Sequence, residues 1–193
     1  DKQNILDFRG RQIGVILDAA SVSDNVDISP DIYVNLTTYP YYYKCFKNRL
    51  DVLSNYAENG GAVLLSVNQV GGNDELIFDG SSMIFDGKGN LIHLGKCFEE
   101  DLIIFDTDAS YQPITIPEED ISWLYNALVL GFRDYFHKTG FNKTLLGLSG
   151  GIDSALVACI AADALGKENV LGVYMPSRYS SDHSREDAEQ LAK

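Results

Sequence analysis

The sequence predicts an α/β protein of two domains, and three observations carry that prediction. Over residues 1–107, short runs rich in β-branched residues alternate with a single amphipathic helical stretch. Residues 108–117 then interrupt the pattern with a polar, proline-bearing segment that reads as a linker. From residue 118 onward helix, strand, helix and strand follow one another cleanly, the order that gives a right-handed crossover and a parallel, doubly wound sheet.

The elements of the first domain are legible one by one. "QIGVILDA" (12–19) and "DIYVNLTT" (31–38) read as strands bounded by Gly, Pro, Asn and Asp. Between Lys44 and Asn59, Phe46, Leu50, Leu53 and Ala57 recur at helical spacing, and "NGG" supplies the stop. "AVLLSVN" (62–68) is continuously apolar, as expected of a strand covered on both faces. "SMIFD", the turn "GKGN" and "LIHLG" predict a hairpin, and "DLIIFD" (101–106) a further strand.

In the second domain, Pro117 followed by Glu118, Glu119 and Asp120 reads as a helix start, with the ring preset for the first turn and carboxylates facing the positive end of the dipole. Ile121, Leu124, Tyr125, Leu128, Phe132, Tyr135 and Phe136 form one apolar stripe ending at Gly140. A strand at 143–148, a helix over about 153–165, a strand at 169–174 and a polar helix opening near Ser181 complete the reading.

Composition narrows the function classes. With 45% hydrophobic residues and five prolines in 193, the chain has the make-up of a packed globular protein. A formal net charge of −13, without a Lys/Arg cluster, argues against a nucleic-acid partner, because phosphate-backbone binding needs clustered cations. No apolar run is long enough to span a bilayer, and "DKQNILDFRG" lacks the basic and apolar regions of a leader, so no membrane partner and a cytoplasmic location are expected. Cys45, Cys97 and Cys159 are far apart with no C-x-x-C, which suggests neither a disulfide framework nor a zinc site and fits a reducing compartment. His93, His137 and His183 fall on three separate elements and read as surface or capping residues.

Chemistry concentrates in "LLGLSGGIDSALVACIAADALG" (145–166). "LSGG" is the turn leaving a strand and "IDSALVACIAADAL" the helix after it. Amides at a helix N-terminus have no internal acceptors and carry partial positive charge, so the spot favours phosphate. Gly150 and Gly151 let the backbone approach an anion, Ser149 and Ser154 can donate hydroxyl hydrogen bonds, and Asp153 can place a carboxylate beside a phosphate-bridging Mg²⁺. The spacing is neither G-x-x-x-x-G-K-[ST] nor G-x-G-x-x-G.

"SGGIDS" resembles the signature of the ATP-pyrophosphatase (PP-loop, adenine nucleotide α-hydrolase-like) family, which adenylates a carbonyl or carboxyl oxygen, releases pyrophosphate and admits a nitrogen or sulfur nucleophile. "YMPSRYSSDHSREDAEQLA" (174–192) resembles the matching segment of NAD⁺ synthetases. "VNQVGGNDELIFDGSS" (67–82) is similar to the nitrilase-type glutaminase domain fused ahead of the synthetase in the glutamine-dependent enzymes. The resemblance implies the C-terminal half of a nitrilase-like α/β sandwich over 1–107, a linker over 108–117 and the start of the synthetase domain over 118–193. It implies that Gly147, Leu148, Ser149, Gly150, Gly151, Ile152, Asp153 and Ser154 bind ATP phosphates, with Asp153 also a magnesium ligand. Met175 and the segment to Ser180 are expected by the adenosine, with Arg178 a contact to nucleotide or substrate. ATP and Mg²⁺ are the implied cofactors; deamido-NAD and ammonia or glutamine are the remaining substrates, and the intact protein is expected to be a homo-oligomer.

The first domain departs from the glutaminase pattern. Where the family carries a cysteine nucleophile followed by an acidic pair, "IGVILDAAS" has Asp18, Ala19 and Ala20. A thiolate is needed to attack the amide and leave as a thioester. At the next two glutamine-contacting positions the chain has Tyr39 and Cys45 instead of a small polar residue and a basic one. The expectation is a dead glutaminase site with ammonia from another source, in the middle of a larger protein. Gly-rich "NQVGGNDELIFDG" lacks calcium-loop spacing and is expected to be structural. Three readings stay open: a piece of an NAD⁺ synthetase, a non-catalytic nitrilase-like scaffold with a vestigial nucleotide loop, and a PP-loop enzyme acting on another carboxylate.

Overall fold

The computed structural model describes residues 4–17, 30–176 and 182–192. By their contacts they divide into two compact units, one comprising 1–71 with 76–127 and the other 72–75 with 128–193.

In the first unit, β1 (Asn4–Phe8), β2 (Arg11–Leu17), β3 (Ile32–Thr37), α1 (Cys45–Gly60) and β4 (Val63–Asn68) are followed by the short strands β5 (Val70–Asn73) and β6 (Leu76–Asp79), and then by β7 (Met83–Phe85) and β8 (Leu91–Leu94). Six strands form one sheet in the order β1-β2-β3-β4-β7-β8, while β5 and β6 pair separately. The central pairs β2·β3 and β3·β4 are parallel, and the flanking pairs antiparallel. The register aligns Gly14, Tyr33, Leu64 and Phe85 in one row and Ile16, Asn35, Ser66 and Met83 in the next. That face is buried and receives α1, whose Tyr56 meets Tyr33 edge to face at 5.2 Å between ring centroids. Phe46, Leu50, Leu53 and Ala57, the residues whose spacing predicted α1, are all buried, the three larger ones each worth about 1.5–3 kcal/mol of apolar transfer. α1 stops where Gly61 adopts φ 62° and donates its N–H to the Glu58 carbonyl.

Three expectations are corrected here. β4 is covered on one face only: Leu64, Ser66 and Asn68 are buried, while Val67 on the opposite face is 49% exposed. The reason lies in the register, which puts Val67 in an apolar row with Leu17 and Leu36, also exposed, and α1 lies on the other side. Residues 101–106 are not a strand: they alternate in burial, but they pair with no strand among the described residues, and Leu102 and Ile104 stand out into solvent. The glycine-rich stretch of 69–80, expected to be structural, forms a hairpin, β5 and β6, turning through Asp74 at φ 52°.

The third correction concerns the helix expected from Pro117. α2 spans Ile121–Thr139 and starts behind Asp120, whose carboxylate accepts from the Ser122 amide at 2.9 Å and from its hydroxyl. Glu119 is used elsewhere. Its carboxylate accepts from the amides of Lys44 (2.5 Å) and Phe46 (3.1 Å), capping α1, and from the Tyr41 hydroxyl at 3.0 Å. The buried face of α2 is also displaced from the expected stripe: Trp123, Ala127 and Leu130 are buried, whereas Ile121, Leu128 and Tyr135 are exposed.

The second unit contains the later part of α2, then β9 (Thr144–Gly147), α3 (Ile152–Leu165), a 3-10 turn at Lys167–Asn169, β10 (Val170–Val173) and α4 (Asp182–Leu191). β9 and β10 are parallel and joined through α3, as expected of a crossover. The hairpin tip at 72–75 belongs to this unit. The Gly72 amide donates to Asp134 at 2.8 Å, Lys138 donates to the Gly72 carbonyl, and a Cβ at Gly72 would lie 3.0 Å from the Cα of Gly131.

Candidate functional site

At the end of β9 the chain turns from strand to helix in four residues, and most of the sequence-predicted site lies there. Leu148 extends the parallel ladder by donating its amide to the Val173 carbonyl at 2.9 Å. Its side chain is buried against Gly172, where an added Cβ would come within 2.4 Å of the Leu148 methyl. Leu148 therefore presents only backbone to a ligand.

The two glycines serve different purposes. Gly150 has φ 79°, and a Cβ there would fall 2.2 Å from the Ser184 carbonyl oxygen, so this glycine lets the start of α4 close on the loop. Gly151 is the N-cap of α3, extended at φ −93° and ψ 158°, with only the Ser149 hydroxyl near its missing Cβ. The loop is tied by its own hydroxyls. Ser149 Oγ accepts from the Gly151 amide at 3.2 Å, Ser154 Oγ donates to the Gly151 carbonyl at 2.9 Å, and the two hydroxyls are 3.0 Å apart. The Ser149 amide donates to Ser154 Oγ at 3.2 Å.

α3 makes its first backbone bond from Ala155 to Gly151, so the Ile152 and Asp153 amides of its first turn have no acceptor within the helix. Ile152 and Asp153 are exposed in that turn. Among the described residues no group of three His, Cys, Asp or Glu could hold a metal ion, so Asp153 stands as a single carboxylate. Mg²⁺ is commonly held by one or two carboxylates with phosphates and water, and Asp153 fits that mode. Met175 is exposed just after β10, and its Cε lies 3.3 Å from where a Cβ on Gly147 would stand. Arg178 lies outside the described residues. Beside the loop, a groove of about 540 Å³ is also lined by Asp187, Gln190 and Leu191 of α4. Sequence reasoning missed these three; their helical spacing was the available signal.

The departures in the first unit also have defined places. Asp18, Ala19 and Ala20 lie outside the described residues. Tyr39 is half-buried, its hydroxyl 3.4 Å from that of Tyr42 and its ring 5.7 Å from the Arg49 guanidinium carbon. Cys45 is fully buried at the start of α1, and burial pushes its thiol up. Burial does the same to Cys97. Beneath Tyr39, Arg49 forms a two-pronged ion pair with Asp79 at 2.8 and 2.7 Å, both side chains buried, and Asn68 adds a third donor to Asp79. Asn68 also receives the Tyr39 amide at 2.9 Å, so this cluster fixes the backbone entering the Tyr-rich turn.

The fold and the loop together define the class: a strand–loop–helix unit of the kind that seats anions, preceded by a separate mixed-sheet unit. Comparison with known proteins narrows it. Residues 124–193 match the family model described as NAD synthase. A glutamine-dependent NAD(+) synthetase of Synechocystis is 49% identical over 178 residues, covering 88% of this chain and 32% of that protein. The Thermotoga maritima protein of the same name is 39% identical over 202 residues, covering 84% and 34%. A solved structure of glutamine-dependent NAD+ synthetase from Acinetobacter baumannii, in complex with ADP, superposes with a TM-score of 0.87 at 35% identity over 98% of this chain and 38% of that one. The chain is thus a homologue of the glutamine-dependent NAD(+) synthetases and shares their α/β fold. It spans about a third of the length of the relatives it matches.

Proposed function

We propose that this chain is the central part of an ATP-dependent NAD⁺ synthetase, a ligase that adenylates the nicotinate carboxylate of deamido-NAD, amidates it with ammonia and releases AMP and pyrophosphate. The observation that carries the reading is the Gly147–Ser154 turn, which leaves the Ile152 and Asp153 amides of α3 without intrahelical acceptors and the Asp153 carboxylate in the same turn. The likeness over nearly the whole chain to a relative solved in complex with ADP supports an adenine nucleotide as the ligand. On this reading 1–107 is the latter part of a nitrilase-like domain, 108–117 a linker and 118–193 the opening of the synthetase domain.

The chemistry asks little of side chains. A carboxylate is inert to ammonia until AMP is attached, and the barrier lies in the charge that builds on the departing pyrophosphate. Backbone amides of Ile152 and Asp153 would bind and orient that pyrophosphate, with the hydroxyls of Ser149 and Ser154 turning to it from the loop bonds they hold in the structure. Donors preset in this way are typically worth about 2.7–4 kcal/mol each. Magnesium, held by Asp153 and the phosphates, would supply charge neutralisation. Met175 and Arg178 would lie against the nucleoside, Met175 through the side chain that already reaches Gly147. Exchange of pyrophosphate into ATP in the presence of deamido-NAD tests the assignment. Asp153→Ala in the intact protein is expected to lower the exchange about 100-fold, and an unchanged rate would remove the loop from the reaction.

The glutaminase half is read as inactive. Asp18 stands where the family carries its nucleophile, and Cys45, at a glutamine-contacting position, is a fully buried thiol whose pKa burial pushes up, which works against a thiolate there. Comparing NAD⁺ formation by the intact protein with glutamine and with ammonium decides this: turnover with ammonium alone is expected, and robust glutamine-dependent turnover would refute it. The reading places a homo-oligomeric intact protein in the cytoplasm with small-molecule substrates; no described helix is long and apolar enough to cross a membrane.

A further inference from the structure

Between α1 and strands β3 and β4, beneath Tyr39, lies a cavity of about 40 Å³ with Asn35, Thr37, Tyr39, Asn48, Arg49 and Ser66 among its lining residues. Three of these are deeply buried polar side chains: Asn35 is 1%, Ser66 4% and Arg49 5% exposed. Arg49 spends both terminal nitrogens on Asp79, at 2.8 and 2.7 Å. Its Nε is buried and has no acceptor among the described residues. A buried donor left unpaired forfeits its hydration without compensation, and more so when the group is charged. Nearby, Ser66 accepts a bond from Asn35 at 2.9 Å, which leaves the proton of its hydroxyl to be donated.

A site that presents two donors calls for a small molecule with lone pairs. The volume exceeds the ~10–15 Å³ that a cavity needs to hold a water. We propose that this cavity is a water-binding site, in which one ordered water accepts from Arg49 Nε and from the Ser66 hydroxyl and so bridges α1 to β4. Ammonium is of similar size and is within the chemistry proposed for the whole protein. It has no lone pair to accept either bond, and it carries the same charge as the guanidinium, so the cavity selects water against it. The inference does not depend on the nucleotide loop or on the activity proposed above.

Two measurements on the full chain test it. A crystal structure is expected to show a peak about 2.7–3.2 Å from Arg49 Nε, unchanged when crystals are grown with excess ammonium chloride. In ¹⁵N-edited spectra the Arg49 Nε–H resonance is expected to show cross-relaxation with a long-lived water, and Ser66→Val, which fills the cavity, to abolish it while leaving Trp123 fluorescence native. A structure in which Nε donates to a protein atom such as the Asn48 amide oxygen overturns the proposal, as does a peak whose height follows ammonium concentration.

Discussion

Arg49 and Asp79 show how much of the first unit rests on single buried groups. Burial works against the charged guanidinium, and the hydrogen bonds and charge of Asp79 outweigh it, so the Arg49 pKa is raised rather than lowered. Removing one partner leaves the other charge buried and alone, a change that costs about 3–5 kcal/mol. Asp79→Asn is therefore expected to destabilise the first unit by that amount. The single tryptophan provides the signal, because Trp123 is buried against Phe46 and Phe98 at 5.0 and 5.9 Å between ring centroids. Denaturant unfolding followed by its fluorescence measures the loss, and a midpoint unmoved by Asp79→Asn would contradict it. Tyr56 gives a pH dependence. Burial, with Tyr33 beside it, pushes its hydroxyl up to about 12, whereas an unfolded tyrosine titrates near ~10. The folded state thus keeps a proton that the unfolded state has lost, so its stabilising contribution is complete below pH ~10 and falls as pH rises toward about 12. Tyr56→Phe is expected to flatten the alkaline decline of the unfolding midpoint.

At the scale of elements, α1 depends on a residue 73 positions away. Lys44 precedes it in a left-handed conformation at φ 68° and supplies no side-chain cap, so Glu119 accepts the first amides instead. Glu119→Ala is expected to cost about 0.5–2 kcal/mol in the same fluorescence transition, with Glu119→Gln recovering part because an amide oxygen can still accept. In the second unit, Gly150→Ala would drive a Cβ into the backbone of Ser184 at a φ that disfavours alanine. Hydrogen exchange is expected to show lost protection in the first turns of α4, while α3 keeps its own. Such dependencies explain which elements were legible. α1, β9, α3 and β10 announced themselves through local periodicity and turn glycines, and they lie within a residue or two of the expected bounds. The start of α2 did not, because Glu119 reads locally as a first-turn carboxylate, and only tertiary contact assigns it to α1. Residues 101–106 have the alternation of a strand without a pairing partner among those described, a fact that no local pattern contains. In the candidate loop the residue types were readable. That Gly150 answers to Ser184 and Leu148 to Gly172 was not, because both are contacts across the fold.

For the molecule as a whole, the balance of covered and uncovered apolar surface determines how the chain behaves in isolation. One face of the main sheet is filled by α1. On the other, Leu17, Leu36 and Val67 form a row 71%, 46% and 49% exposed, beside a half-buried row of Val15, Val34 and Leu65. Adjacent strands bring these side chains to within about 5 Å of one another, so they make a continuous patch rather than scattered residues. In the second unit, Leu156 and Val157 leave α3 with exposed apolar surface. A monomer seldom tolerates contiguous patches beyond a few hundred Å². The 193-residue chain on its own is expected to bind an apolar dye such as anilinonaphthalene sulfonate and to associate at micromolar concentration. Replacing Leu17, Leu36 and Val67 together by threonine puts β-branched, strand-compatible residues at all three positions and removes most of the apolar area of the row. Because these positions are already exposed, the Trp123 transition should move by less than about 0.5 kcal/mol per site, while dye binding falls several-fold. Dye fluorescence that stays at the parent level in the triple variant would show that the apolar surface lies elsewhere, with the exposed face of α3 next to be substituted.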